Sequence, residues 1–408
     1  MREKTSLART SPAKAVALFM LAMLLAQASA VWDPTVAQET TTQEAAPEAE
    51  VPDLPEINAE AWALVDEETG LYLAGENADE RLPIASTTKV MVALTALEEE
   101  PDLDEEVVIS EQAERFVGFT YSNIGLIQGE QVSARDLLTA SLVPSGTEAV
   151  YALAEHLGGG GGEAGVEQFV GRMNEQANSM GLENANFANP AGLDDPENYS
   201  SARDLARITS GALAYEFFAE TVSRTEATIS TNDREIEVVT TNQLLFSYPE
   251  ATGVKTGTSP EAGPSLVASA GADGESYVAV ILGAASDEER FVAAEELLTD
   301  AFDRYERETL VRRGEPYEEQ ILPFRRDEAV ELVAARDIAA PVAPNLEVER
   351  RVTGGELPES AREGDRLGEV ELLVEGQSVG TSPLVAGSGY EEASIFDKIW
   401  FWISGFFR

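Results

Sequence analysis

Ser86-Thr87-Thr88-Lys89-Val90-Met91-Val92-Ala93-Leu94-Thr95-Ala96-Leu97 is the stretch on which the reading of this chain turns. Val90, Leu94 and Leu97 recur at helical spacing and Pro101 follows the end of the pattern, so Ser86 is expected to open an amphipathic helix. Ser86 and Lys89 then share one face of that helix in an S-x-x-K arrangement, and one side chain can deprotonate the other. The lysine must be neutral part of the time, which burial near other cations would allow. A helix N-terminus at Ser86 would add backbone N–H donors and a positive dipole end for a developing oxyanion.

S-x-x-K alone is a weak signal, since Ser11-Pro12-Ala13-Lys14 also fits it. The context supplies the strength. Helical periodicity over 134–143 stops at Pro144 and resumes with Val150, Leu153, Ala154 and Leu157, which puts Ser145-Gly146-Thr147 on a bend between helices. The apolar runs 265–270 and 277–282 bracket Ala272-Asp273-Gly274 and read as antiparallel strands joined by a tight turn, with Val254-Lys255-Thr256 pairing alongside. Upstream, 62–65 and 71–74 form a hairpin signal around the polar turn 66–70. S-x-x-K, S-G-T and K-T-G thus fall in order on a helix, a bend and a strand.

The 408 residues exceed one ordinary core, which implies two domains or one with an appendage. Beyond about residue 310 the helical pattern fades, and 329–334, 346–352, 370–374 and 378–384 read as short strands of a separate β-rich module. Asp and Glu number 74 against 28 Lys and Arg, for a formal charge of -46. Such a field repels phosphates, so nucleic acid is excluded as a partner. The absence of cysteine removes disulfides and thiol nucleophiles, and with a single histidine, His156, no thiolate or imidazole metal site can be assembled. His156 falls near a helix C-terminus and reads as structural; Ser122-Asn123 reads as loop.

Arg2, Lys4, Arg9 and Lys14 precede the apolar run 15–25 and the small-residue site Ala28-Ser29-Ala30, so 1–30 is expected to be a signal peptide and the protein exported. The segment 31–55 has almost no large apolar residue and reads as a flexible acidic linker. At the other end, Phe396, Ile399, Trp400, Ile403 and Phe407 share one helical face, widened by Ile395, Trp402 and Phe406, with Asp397, Lys398 and Ser404 opposite and Phe401 breaking the pattern. Burying several such side chains at roughly 1.5–3 kcal/mol each could hold 394–408 in a membrane interface as a peripheral anchor. The alternative is a helix docked on the body of the protein.

With these motifs in place, the chain resembles the D-alanyl-D-alanine carboxypeptidases, the low-molecular-mass penicillin-binding proteins. The likeness runs from about residue 57 to 381 and includes Leu142-Val143-Pro144-Ser145-Gly146, Ala152-Leu153-Ala154-Glu155-His156, Asn189-Pro190-Ala191-Gly192-Leu193 and Gly253-Val254-Lys255-Thr256-Gly257. It implies an α+β fold: a serine β-lactamase/transpeptidase-like catalytic domain of antiparallel sheet and helices over 56–308, then a small β-sandwich over 309–390 and an amphipathic anchor. It implies Ser86 as acylated nucleophile, Lys89 as general base and Ser145 as proton relay. Lys255, Thr256 and Gly257 would bind the substrate carboxylate, Ser86 and Thr258 would supply oxyanion N–H groups, and Arg290 would add a further cation. Thr147 stands where the family usually has asparagine, and its one hydroxyl has less reach. The implied activity is removal of terminal D-alanine from peptidoglycan stem peptides at the extracytoplasmic face of the membrane, with β-lactams as covalent inhibitors and no cofactor. A D,D-endopeptidase using the same site, or a weakened wall-binding homologue, is the alternative.

Overall fold

Alternation along Ala59–Asp66 explains the central layer. Ala61, Ala63 and Val65 enter one core while Trp62 and Leu64 enter another, because successive strand side chains point to opposite faces. This strand is second in a five-stranded antiparallel sheet ordered Tyr72–Glu76, Ala59–Asp66, Glu275–Ala284, Gly263–Ala272, Ala251–Ser259. The helix Glu289–Arg304 covers one face with Leu297 and Leu298; Ala202–Leu213 packs on the other, with the rest of the larger helical core behind it. Burial on both faces accounts for the nearly continuous apolar runs in these strands.

The computed structural model describes residues 54–99, 102–159, 161–344 and 346–405. The expected signal peptide at 1–30, nearly all of the linker at 31–55, and Phe406 and Phe407 lie outside them.

The Asp273-Gly274 turn is where the sequence reading puts it. Ala272 pairs with Glu275, and both turn residues have positive φ (52° and 87°), the conformation that matches the twist of a two-residue hairpin. The Ser86 segment differs from expectation. Ser86 lies in a short 3₁₀ turn, Ala85–Thr87, and the α-helix runs from Thr88 to Glu98. Nor is that helix amphipathic: every residue from Thr88 to Leu97 is buried. It lies among the Ala134–Leu142, Thr147–Leu157, Gly162–Ser179 and Ala202–Leu213 helices and so has no solvent face.

After the sheet, Glu306–Val311 pairs with Ile338–Val342. A second five-stranded sheet is ordered Pro316–Ile321, Ala329–Ala334, Gln377–Ala386, Arg366–Val374, Val348–Gly354. Val311, Ile338 and Ala340 pack against Leu332, Val370, Leu372 and Leu384, forming a sandwich core. The Glu306–Val311 strand runs through the 308/309 position. Arg307 pairs with buried Asp66 and, at 3.1 Å, with Glu68. Gln377 exchanges hydrogen bonds with the Tyr72 backbone at 3.2 and 3.0 Å, so the sandwich is attached to the edge hairpin of the first five-stranded sheet.

Ile395–Gly405 forms the last helix. Phe401, the residue that breaks its apolar stripe, is the docking residue: its ring meets Phe324 edge-on at 5.6 Å and lies under the Arg326 guanidinium at 4.3 Å. Lys398 pairs with Glu359 and Glu392 at 3.3 and 2.7 Å. Ile395, Phe396, Ile399, Trp400, Trp402 and Ile403 stay exposed. Among the described residues no helix is long and apolar enough to cross a membrane.

Candidate active site

Ser86 is half-buried and faces the edge strand Ala251–Ser259, which packs on its 3₁₀ turn. Lys89 Nζ lies 2.9 Å from Ser86 Oγ and 3.5 Å from Ser145 Oγ, and donates to the Ala191 carbonyl at 3.2 Å. Lys89 is fully buried, and burial lowers its pKa to about 7 against the opposing charge of Glu148. An amine in that state can take a proton from a neighbouring hydroxyl near neutral pH.

Backbone carbonyls leave no mark in a sequence pattern, and the third partner of Lys89 escaped sequence reading for that reason. Ala191 is held by Asn189, whose Oδ1 accepts from the N–H groups of Ala191, Gly192 and Leu193 at 3.2, 2.8 and 2.9 Å. Gly192 is required there: with φ 78°, a Cβ would sit 1.7 Å from the Ala85 carbonyl oxygen. Asn189-Pro190-Ala191-Gly192-Leu193 therefore belongs to the site, although the sequence reading used it only as a likeness.

Ser145 has φ 67°, a left-handed conformation uncommon for serine and typical of strained functional positions. It sits at the bend before the Thr147–Leu157 helix. Thr147 is buried, its N–H donates to the Ser122 carbonyl at 2.8 Å, and among the described residues its hydroxyl has no hydrogen-bond partner. Ser122-Asn123 is loop, with Asn123 Nδ2 donating to the Gly118 and Tyr121 carbonyls.

Lys255 and Thr256 come from the edge strand, paired with Val267 and Leu266. Lys255 is buried and donates to the Thr256 carbonyl at 2.9 Å; burial first, then the charges of Lys89 and Arg290, drive its pKa well below the usual lysine value. Gly257 permits the close approach of this strand, because a Cβ there would meet the Ile84 oxygen at 2.8 Å and the Ser86 nitrogen at 3.2 Å. Thr256 shares a 2.6 Å hydrogen bond with Thr241, which the sequence reading did not single out. Arg290 is engaged by the strand itself: Nη1 donates to the Gly257 and Ser265 carbonyls and to the Thr258 hydroxyl at 3.0, 3.3 and 2.8 Å, and Nη2 pairs with Asp287 at 3.1 Å. Its guanidinium is therefore held against the strand that carries Lys255, beside Thr258. His156 stands apart, 3.4 Å from Glu105 at the far end of its helix.

The site thus sets a buried Lys89 against a reachable Ser86 hydroxyl, with Ser145 on its other side and Lys255 on the neighbouring edge strand. The family described as Peptidase_S11, D-alanyl-D-alanine carboxypeptidase, matches residues 44–286. The chain belongs to this family. It is 32% identical to the D-alanyl-D-alanine carboxypeptidase DacC of Escherichia coli over 85% of this chain and 88% of that protein. With DacF of Bacillus subtilis it shares 30% identity over 82% of this chain and 86% of that protein. Among solved structures, penicillin-binding protein 5 of Haemophilus influenzae superposes with TM-score 0.68 at 29% identity, covering 84% of this chain and all of that one. The Streptomyces K15 DD-transpeptidase gives TM-score 0.59 at 34% identity, over 62% of this chain and all of that one. This D-alanyl-D-alanine carboxypeptidase is thus a serine peptidase of cell-wall metabolism, with the α+β fold expected, from a family that acts on peptidoglycan stem peptides and binds β-lactams.

Proposed function

We propose that Ser86 is the acylated residue of this carboxypeptidase, with Lys89 as its general base and Ser145 relaying the proton. The observation that carries this reading is the 2.9 Å approach of a fully buried lysine amine to a reachable serine hydroxyl. Lys89 takes the Ser86 proton as Oγ attacks the penultimate D-alanine carbonyl. The backbone N–H groups of Ser86 and Thr258 receive the oxyanion. The C–N bond breaks, the proton passes through Ser145 to the departing D-alanine nitrogen, and water then hydrolyses the ester. Lys255, Thr256 and Gly257 bind the terminal carboxylate, with Arg290 orienting Thr258. In a protein of charge -46 these buried cations provide the local attraction that an anionic peptide needs. Mass spectrometry of a tripeptide ending in D-Ala-D-Ala tests the activity: loss of one alanine is expected, and an intact peptide would overturn the reading.

The same reading places the enzyme outside the cytoplasm, exported by its N-terminal segment and held at the membrane surface by the last helix. Supporting the second point is the geometry of that helix, docked through Phe401 and Lys398 with its apolar stripe turned outward. Deleting 394–408 should move the protein from the membrane to the soluble fraction. Continued membrane retention would count against the anchor.

A further inference from the structure

Glu148, the second residue of the Thr147–Leu157 helix, is fully buried. Its Oε1 accepts from three successive backbone N–H groups, those of Ile124, Gly125 and Leu126, at 2.7, 2.9 and 3.3 Å. Its Oε2 is also buried and has no hydrogen-bond partner among the described residues. A fold does not ordinarily retain a half-satisfied buried carboxylate without a use for it. The same helix holds the 116–126 segment at two more points. Thr147 N–H donates to the Ser122 carbonyl at 2.8 Å, and Tyr151, one turn on, stacks on Phe116 at 4.0 Å, with Tyr121 edge-on to Phe116 at 5.6 Å.

We propose that Glu148 is a positioning residue for this reaction: it pins the 116–126 segment to the turn that carries Ser145 and, from a helix packed on the one that carries Lys89, sets a buried carboxylate on the inner side of that lysine's helix. The inference rests on Lys89 being the base for Ser86, as proposed above. Burial raises the Glu148 carboxyl pKa, and the three N–H bonds pull it back toward ionisation. Its charge in turn raises the Lys89 pKa against the larger effect of desolvation. The Lys89 charge in turn acts on Lys255, on the facing strand, where with burial and Arg290 it lowers that lysine's pKa. Glu155 and His156 on the Glu148 helix are engaged at its far end by Ser110 and Glu105. On the Ala134–Leu142 helix, Arg135 pairs with Asp104, and Asp136 accepts from the backbone N–H of Ser230. Asp204, on the Ala202–Leu213 helix, accepts from the Asn184 N–H.

Acylation of the full chain by a fluorescent penicillin, followed from about pH 5 to 9, separates charge from scaffolding. Glu148→Gln keeps an acceptor for the 116–126 segment but removes the charge. The Lys89 amine then loses its proton more readily, and the midpoint of the acid limb should fall by at least about 0.5 pH unit. A slower rate at an unmoved midpoint would overturn the charge role. Glu148→Asp keeps the charge on a shorter arm that cannot reach all three N–H groups. It should hold the midpoint, raise KM for a D-Ala-D-Ala peptide severalfold and speed amide exchange at Ile124, Gly125 and Leu126. Unchanged KM and exchange would overturn the pinning role, and this variant decides that point even if Glu148→Gln does not fold. An unmoved Glu148→Gln midpoint beside an inactive Lys89→Ala rejects Glu148 alone, whereas normal acylation by Lys89→Ala rejects the base reading as well.

Discussion

Ser86→Ala is expected to give a folded protein that carries no covalent label after incubation with a fluorescent penicillin, while the parent labels fully. The hydroxyl removed is half-buried and has two neighbours, Lys89 Nζ at 2.9 Å and the Ala191 carbonyl at 3.5 Å, so its loss should cost at most about 1 kcal/mol of stability. The chemical effect has no such limit, because no acyl bond can form without the oxygen that carries it. The other hydroxyl within reach of Lys89 is that of Ser145, at 3.5 Å. Ser145 is buried and lies farther from the Lys89 amine than Ser86 does, and so is the less suited of the two to attack. Residual labelling that disappears in a Ser86, Ser145 double variant would move the nucleophile to Ser145. Intact labelling in the double variant would remove both serines from the chemistry.

What could be read in the sequence followed from how much of each feature side chains carry. The Asp273-Gly274 hairpin was legible because two-residue turns need positive φ at both positions, and few residues other than Asp, Asn and Gly tolerate it. Ser86, Lys89, Ser145 and Lys255 were legible as a set of motifs, and the fold brings the Ser86 and Ser145 hydroxyls within 3.5 Å of the Lys89 amine. The Thr88–Glu98 helix was misread as amphipathic because a period of apolar residues shows which face must be buried and cannot show that the opposite face is covered too. Its 3₁₀ opening was missed because the two helix types draw on the same residues. Three strands of the sandwich escaped: Glu306–Val311 and Pro316–Ile321 are thick with charge, and Ile338–Val342 contains a proline. The Ala191 carbonyl, and the Gly257 and Ser265 carbonyls that accept from Arg290, belong to backbone and could not be seen at all.

Phe401 shows how one anomaly in a pattern can hold the answer. Both readings of the C-terminal stretch, interfacial helix and docked helix, assumed a single buried face. The structure docks the helix through Phe401, against Phe324 and Arg326, and leaves the wide apolar stripe exposed. A residue off the stripe was the mark of a second contact surface.

Lys89→Ala should fold and acylate at least about 100-fold more slowly, the low end of what loss of a positioned general base costs. The control that makes this decisive is Lys89→Arg. A guanidinium preserves the positive charge, but with a pKa above about 12 it does not surrender its proton near neutral pH. If Lys89 served only as a cation facing the substrate, arginine would restore much of the rate; if it serves as a base, arginine should be as slow as alanine. The parent enzyme supplies the matching pH signature. Because burial depresses the Lys89 pKa to about 7, the amine is largely protonated and inactive as a base below that value and largely neutral above it. Acylation should therefore rise with pH through a midpoint near 7 and level off above it, and that limb should vanish in both variants. A parent profile flat between about pH 5 and 9, or an arginine variant approaching the parent rate, would show that the proton leaves Ser86 by another route.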